Sequence, residues 1–145
     1  MKNKIIIILF VLFSSYSFGQ KIITWKDLAQ IKYTEKYFPQ YDGNFLYPEF
    51  SPNIKSLEGT TISIAGYFLD IDPNGKLFIL SKNPMASCFF CGMGGPETAI
   101  EIVFKTKPKL KTDDVVMITG TLKLNKDNVE HFNYILDNCE YIFAN

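Results

Sequence analysis

Residues 60–72, TTISIAGYFLDID, alternate with a period of two. Ile62, Ile64 and Phe68 fall on one side, and Ala65, Tyr67 and Leu69 on the other, which predicts a strand with two distinct faces. Asp72-Pro73-Asn74-Gly75 is turn chemistry. KLFILSK then returns as a second strand, so residues 60–82 read as a hairpin. Ala99–Phe104 is a third strand, with Ile100, Ile102 and Phe104 inward and Glu101 outward. VVMITGTLKLN is a fourth and HFNYILDNCEYIF a fifth. KTKPKLKTDD, between the third and fourth, reads as a solvated, lysine-rich connector. Gly66 and Gly120, in the middle of the first and fourth strands, permit sharp bending or close backbone approach. The pattern predicts an all-β, mainly antiparallel fold, a small five-stranded OB-like barrel. A small antiparallel sandwich is the alternative.

Upstream the period changes. Thr24-Trp25-Lys26-Asp27 has the form of a helix start, with Thr24 as cap and Asp27 near the positive end of the helix dipole. Trp25, Leu28 and Ile31 follow at helical spacing, and Pro39 ends the run. Trp25 reads as a packing anchor. Residues 39–56, PQYDGNFLYPEFSPNIKS, carry Pro48 and Pro52, which argue against a helix and for an extended segment crossing the domain surface. Residues 20–56 are therefore expected to form a short N-terminal helix and an extended segment, and residues 57–145 the barrel.

The first residues change the setting. Lys2 and Lys4 precede an unbroken apolar run at residues 5–13, and Ser17 and Gly19 suit a signal peptidase cutting before Gln20. Residues 1–19 are read as a signal peptide, and the protein as exported, periplasmic or secreted. The run is shorter than the about 20 residues a membrane-spanning helix needs, so no transmembrane segment is expected after cleavage. A retained N-terminal anchor is the competing reading. No cysteine stands at the cut, which argues against a lipoprotein.

The chain carries no net formal charge. Loss of Lys2 and Lys4 leaves the mature part slightly acidic, which argues against nucleic acid as a partner. Every basic residue is lysine, so the planar, bidentate capture of phosphate or carboxylate that arginine provides is not on offer. Of the 13 Phe and 8 Tyr, most are expected in the core. The rest can line a surface for a small ligand or another envelope protein.

Candidate chemistry concentrates in residues 86–97, ASCFFCGMGGPE. Cys88 and Cys91 have the spacing of a zinc knuckle. A zinc or copper site needs further ligands: Cys139 is the first choice, then His131, Met93 or Glu97. The structural alternative is a disulfide, Cys88 with Cys91 or either with Cys139, in the oxidising setting that export implies. A thiol-disulfide oxidoreductase ranks third, because Gly92-Met93-Gly94-Gly95-Pro96 opens no helix behind the second cysteine. Covalent haem is excluded, since Gly92 stands where a histidine is required. Gly92, Gly94 and Gly95 read as a tight turn, with an anion cradle as the sharper alternative. No Gly-x-Ser-x-Gly or defensible carboxylate pair is present, so a non-enzymatic module is expected.

Residues 56–92 resemble an uncharacterised family of bacterial envelope proteins. The shared elements are Leu57, Gly59, Gly66-Tyr67, the acidic turn at Asp70 and Asp72, Phe78 to Leu80, and Cys88. The W-x-D-L at Trp25 to Leu28 is also similar. Where members carry Cys followed by His and prolines, this chain has C-F-F-C-G, like a Bacteroidetes-like branch. The resemblance implies an OB-like barrel, an envelope location and a cysteine-containing loop. It implies no activity.

Overall fold

The computed structural model describes residues 19–72, 74 and 77–144. The signal peptide reading and the centre of the Asp72–Gly75 turn lie outside the described residues, apart from Gly19, Asp72 and Asn74. Strands β4 (Thr61–Asp70), β5 (Phe78–Ser81), β6 (Ala99–Phe104), β7 (Val115–Leu124) and β8 (Tyr134–Phe143) close a barrel in the order β4-β5-β6-β8-β7-β4. β6 and β8 run parallel, and the other barrel pairs are antiparallel. The result is a mixed, mainly antiparallel OB-like barrel, as the alternation predicts. No described helix is long and apolar enough to cross a membrane.

Closure depends on β4 serving two neighbours. Thr61 to Tyr67 pair with β7, and Tyr67 to Asp70 pair with β5. Gly66 sits at the changeover. A Cβ there would lie 2.7 Å from the Ser81 carbonyl oxygen and 3.0 Å from the Trp25 ring, so only glycine admits both neighbours. Gly120 plays the same part on β7. A Cβ there would meet the Asp137 carbonyl oxygen at 2.8 Å and the Cys139 sulfur at 2.6 Å, beside a register shift between β7 and β8.

The interior holds Ile62, Ile64, Phe68, Leu80, Ile100, Ile102, Val116, Ile118, Leu122, Tyr134, Leu136 and Cys139. Helix α1 (Trp25–Leu28) seals one end: Leu28 is fully buried and its carbonyl accepts the Tyr134 hydroxyl at 2.8 Å. Asp27 accepts the Thr24 backbone and hydroxyl hydrogens, both at 2.7 Å, which holds its carboxyl below the usual range. Trp25 anchors the turn by packing on the core and donating from Nε1 to the Ala65 carbonyl at 2.8 Å.

The N-terminal expectations need correction. The helix is a single turn, and the chain then becomes β2 (Ile31–Phe38), paired along its whole length with β3 (Gly43–Phe50). Ile31, Tyr33 and Tyr37 alternate with Lys32, Thr34 and Lys36, and Asp42-Gly43 follows a short turn in which Asp42 has φ 45°. That is hairpin chemistry, and the i, i+3 spacing of Trp25, Leu28 and Ile31 masks it. The expected extended segment is thus β3, with Pro48 tolerated because a two-stranded sheet is all edge. Pro52 starts the one-turn helix α2 (Pro52–Lys55), where a missing N–H costs nothing. A short β1 (Lys21–Ile22) runs parallel to the start of β4.

Candidate functional site

Residues 82–98, between β5 and β6, wind through three 3-10 turns, Met85–Ser87, Phe89–Cys91 and Pro96–Thr98. They cover the outer face of the barrel. Leu69, Ile79 and Ala99 point away from the interior and pack against Cys88, with Met85, Phe89 and Phe132 around them. The strands here are therefore buried on both faces. The Met85 amide donates to Asp113 Oδ1 at 2.7 Å, tying the loop to the lysine-rich connector.

Cys88 and Cys91 share one turn, closed by the Cys91 amide donating to the Cys88 carbonyl at 3.0 Å. Cys88 is buried and Cys91 exposed. Desolvation, and then the neighbouring Cys88, raise the Cys91 thiol above its ordinary pKa. Cys139 lies elsewhere. It is buried in the barrel interior against Gly120, donates to the Leu136 carbonyl at 3.2 Å, and is pushed up to about 12 by burial. The expectation that β8 brings Cys139 to the loop is not met, because its side chain points inward while the loop lies outside. All three cysteines are free.

His131 also has a different partner. Its Nδ1 lies 2.9 and 3.0 Å from the two Glu101 carboxylate oxygens, and the Phe132 amide donates to Glu101 at 3.3 Å. Glu101 does face outward on β6, but residues 131 and 132 cover it, leaving it 7% exposed. Among the described residues no group of three or more His, Cys, Asp or Glu side chains is arranged to hold a metal ion. Met93 is exposed. Glu97 folds back over Gly95, taking the room an anion in the glycine turn would need. Its charge, after burial, raises the pKa of Tyr33 and Tyr134. Among the described residues the buried Tyr33 hydroxyl has no hydrogen-bond partner of normal geometry.

Three segments meet around a cleft of about 330 Å³. The β2–β3 hairpin contributes Phe45 and Leu46, the cysteine loop Phe89 and Pro96, and the β7–β8 loop Lys126 and residues 128–133. Phe89, Phe90 and Phe132 form a triangle of edge-to-face rings with centroids 5.5–6.4 Å apart. Leu46 and Phe90 are more than half exposed. The hairpin is fastened to the β7–β8 loop by Lys36, which reaches Asp127 at 3.2 Å and sits 4.0 Å above the Tyr47 ring. Sequence reasoning missed the cleft because its walls come from segments 30 to 88 residues apart; the exposed aromatics were the available signal. In comparisons with known proteins, no family model, no curated protein and no solved structure matches this chain.

Proposed function

We propose that this protein is an exported, non-enzymatic binding module whose cleft receives an apolar side chain of a partner polypeptide in the cell envelope. The cleft carries the reading: an open site with Phe45, Leu46, Phe89 and Phe132 in its walls and polar groups from the β7–β8 loop at its rim. Apolar clefts with a few placed polar groups are the usual form of ligand sites. In OB-like barrels the loop between the fourth and fifth strands borders the binding face, and here that loop forms one wall. Burial pushes the Cys139 thiol up to about 12, which supports a packing role for it, since the thiolate is the reactive species. Export is supported by the basic start, the apolar run and the small residues before Gln20. The motif residues shared with the envelope family suit a common fold: Leu57 and Leu80 are buried, Gly59 has φ 75° and Gly66 makes a close approach.

The metal reading keeps only the two thiols of one turn. A tetrahedral zinc site would need two more ligands from outside this constellation.

The test is NMR titration of the secreted protein with short peptides that present Phe, Tyr or Leu. The expected result is saturable shifts of the amides at 45–46, 89–90 and 128–133, abolished in Phe132→Ser. Shifts elsewhere, or no binding by any peptide, would sink the reading. Zinc or copper retained at one equivalent, and lost in Cys91→Ser, would favour the metal module instead.

A further inference from the structure

In the sequence Cys88-Phe89-Phe90-Cys91, two ring-bearing residues stand between two cysteines of a single 3-10 turn. Residues i and i+3 of such a turn lie within about 7 Å of each other. Bridged cysteines have Cα atoms about 4.4–6.8 Å apart. The third thiol is out of contention: Cys139 belongs to the interior cluster and Cys88 to the outer one. We propose that Cys88 and Cys91 close an intrachain disulfide, and that the ring so formed fixes Phe89, which lines the cleft, and its neighbour Phe90 against Phe132. The second half of this proposal rests on the cleft reading; the first half does not.

The burial difference orders the chemistry. Cys91 is exposed and meets the oxidant, a disulfide-bearing small molecule or protein, while Cys88 beneath it resolves. The Cys91 thiolate attacks one sulfur of the oxidant, giving a mixed disulfide and releasing the first oxidant thiol. The Cys88 thiolate then attacks the Cys91 sulfur and expels the second. Two protein thiols become one disulfide, the oxidant disulfide becomes two thiols, and the two protons from Cys88 and Cys91 pass to the leaving thiolates. Cys139 remains a buried core thiol, which accounts for the odd cysteine of an exported chain.

Loss of freedom in the wall has a readable consequence. With the thiols free, Phe89 and Phe90 already pack against Phe132. The bridge would remove the freedom of the turn to leave that arrangement. Preorganising one such lining side chain tightens binding by about 2- to 10-fold.

The experiment equilibrates the secreted protein in glutathione buffers from reducing to oxidising and reads intact mass, peptide linkage and the affinity of a Phe-bearing peptide. The expected oxidised species is lighter by about 2 Da, with residues 88 and 91 linked and Cys139 alkylated only after denaturation. Cys91→Ser and Cys88→Ser both abolish the mass loss, and Cys139→Ala keeps it. Cys91 is exposed, so its variant decides the matter if Cys88→Ser fails to fold. A bridge to Cys139, or three reduced thiols at every poise, overturns the pairing. Equal peptide affinity in the oxidised and reduced forms overturns the link to the cleft. Should no peptide bind either form, the cleft reading and the link that depends on it fall together, while mass and linkage still decide the pairing.

Discussion

Cys139 sits inside the barrel and Cys91 on the loop covering its outer face, and the two thiols live under different rules. Cys139 lies on β8 between β6 and β7, at the register shift that Gly120 faces; Gly120 supplies the room for its sulfur, and burial pushes the thiol up to about 12. Around Cys91 there is no ladder. Short 3-10 turns, a buried cysteine neighbour and a few side-chain bonds hold the chain. Closed pairing tolerates almost no change of shape, whereas a cover made of turns can be remodelled without opening the barrel. The cover is accordingly where Cys88 and Cys91 stand, and it gives the cleft one of its three walls.

The sharpest way to break the interior is Gly66→Ala. The new Cβ would press on the Ser81 carbonyl, which the β4–β5 ladder cannot move, so a loss of about 3 kcal/mol or more is expected in urea unfolding. A loss under about 1 kcal/mol would show that the changeover in β4 is softer than its geometry implies. Next is Leu28→Ala, which empties the plug over Tyr134 and should cost about 2–4 kcal/mol in the same assay.

On the cover, Glu101→Ala leaves His131 and the Phe132 amide without their carboxylate. Global stability should fall by about 1–2 kcal/mol, and hydrogen exchange at residue 132 should quicken far more than in β7. Uniform quickening would mean that cover and barrel are one cooperative unit.

Alkaline titration sharpens the contrast between the thiols. Cys139 has a folded pKa raised to about 12, above its unfolded value, so its contribution is complete below the unfolded pKa. It is lost as pH rises from about 9 toward 12, because the unfolded chain releases its proton first. At about pH 10 the loss should be about 1.5–2 kcal/mol, and Cys139→Ala should remove that part of the slope. The smallest effect is expected at Asp27, whose folded pKa is lowered; its contribution is present above about pH 4 and lost as pH falls further. Asp27→Asn should cost about 0.5 kcal/mol at neutral pH and flatten the acid limb of the stability curve.

Much of the barrel was legible in advance, and the site was not. Ile62, Ile64 and Phe68 are interior as their spacing predicts, and Gly66 and Gly120 are the points of close approach. Leu69 and Glu101 were legible only as outward-facing. That both are buried depends on the loop and the β7–β8 segment folded across them. The β2–β3 hairpin carried a readable signal in its alternation and in Asp42-Gly43, overridden by a helical spacing that lasts one turn.

The sequence by itself determined the five barrel strands and their faces, because alternation acts over a few neighbouring residues. Tertiary structure decided which strands meet. The parallel pairing of β6 with β8, the bond from Tyr134 to Leu28 across 106 positions, and the separation of Cys139 from Cys88 all follow from barrel closure. Closure sets inside against outside for residues far apart in the chain, and no local pattern carries that information.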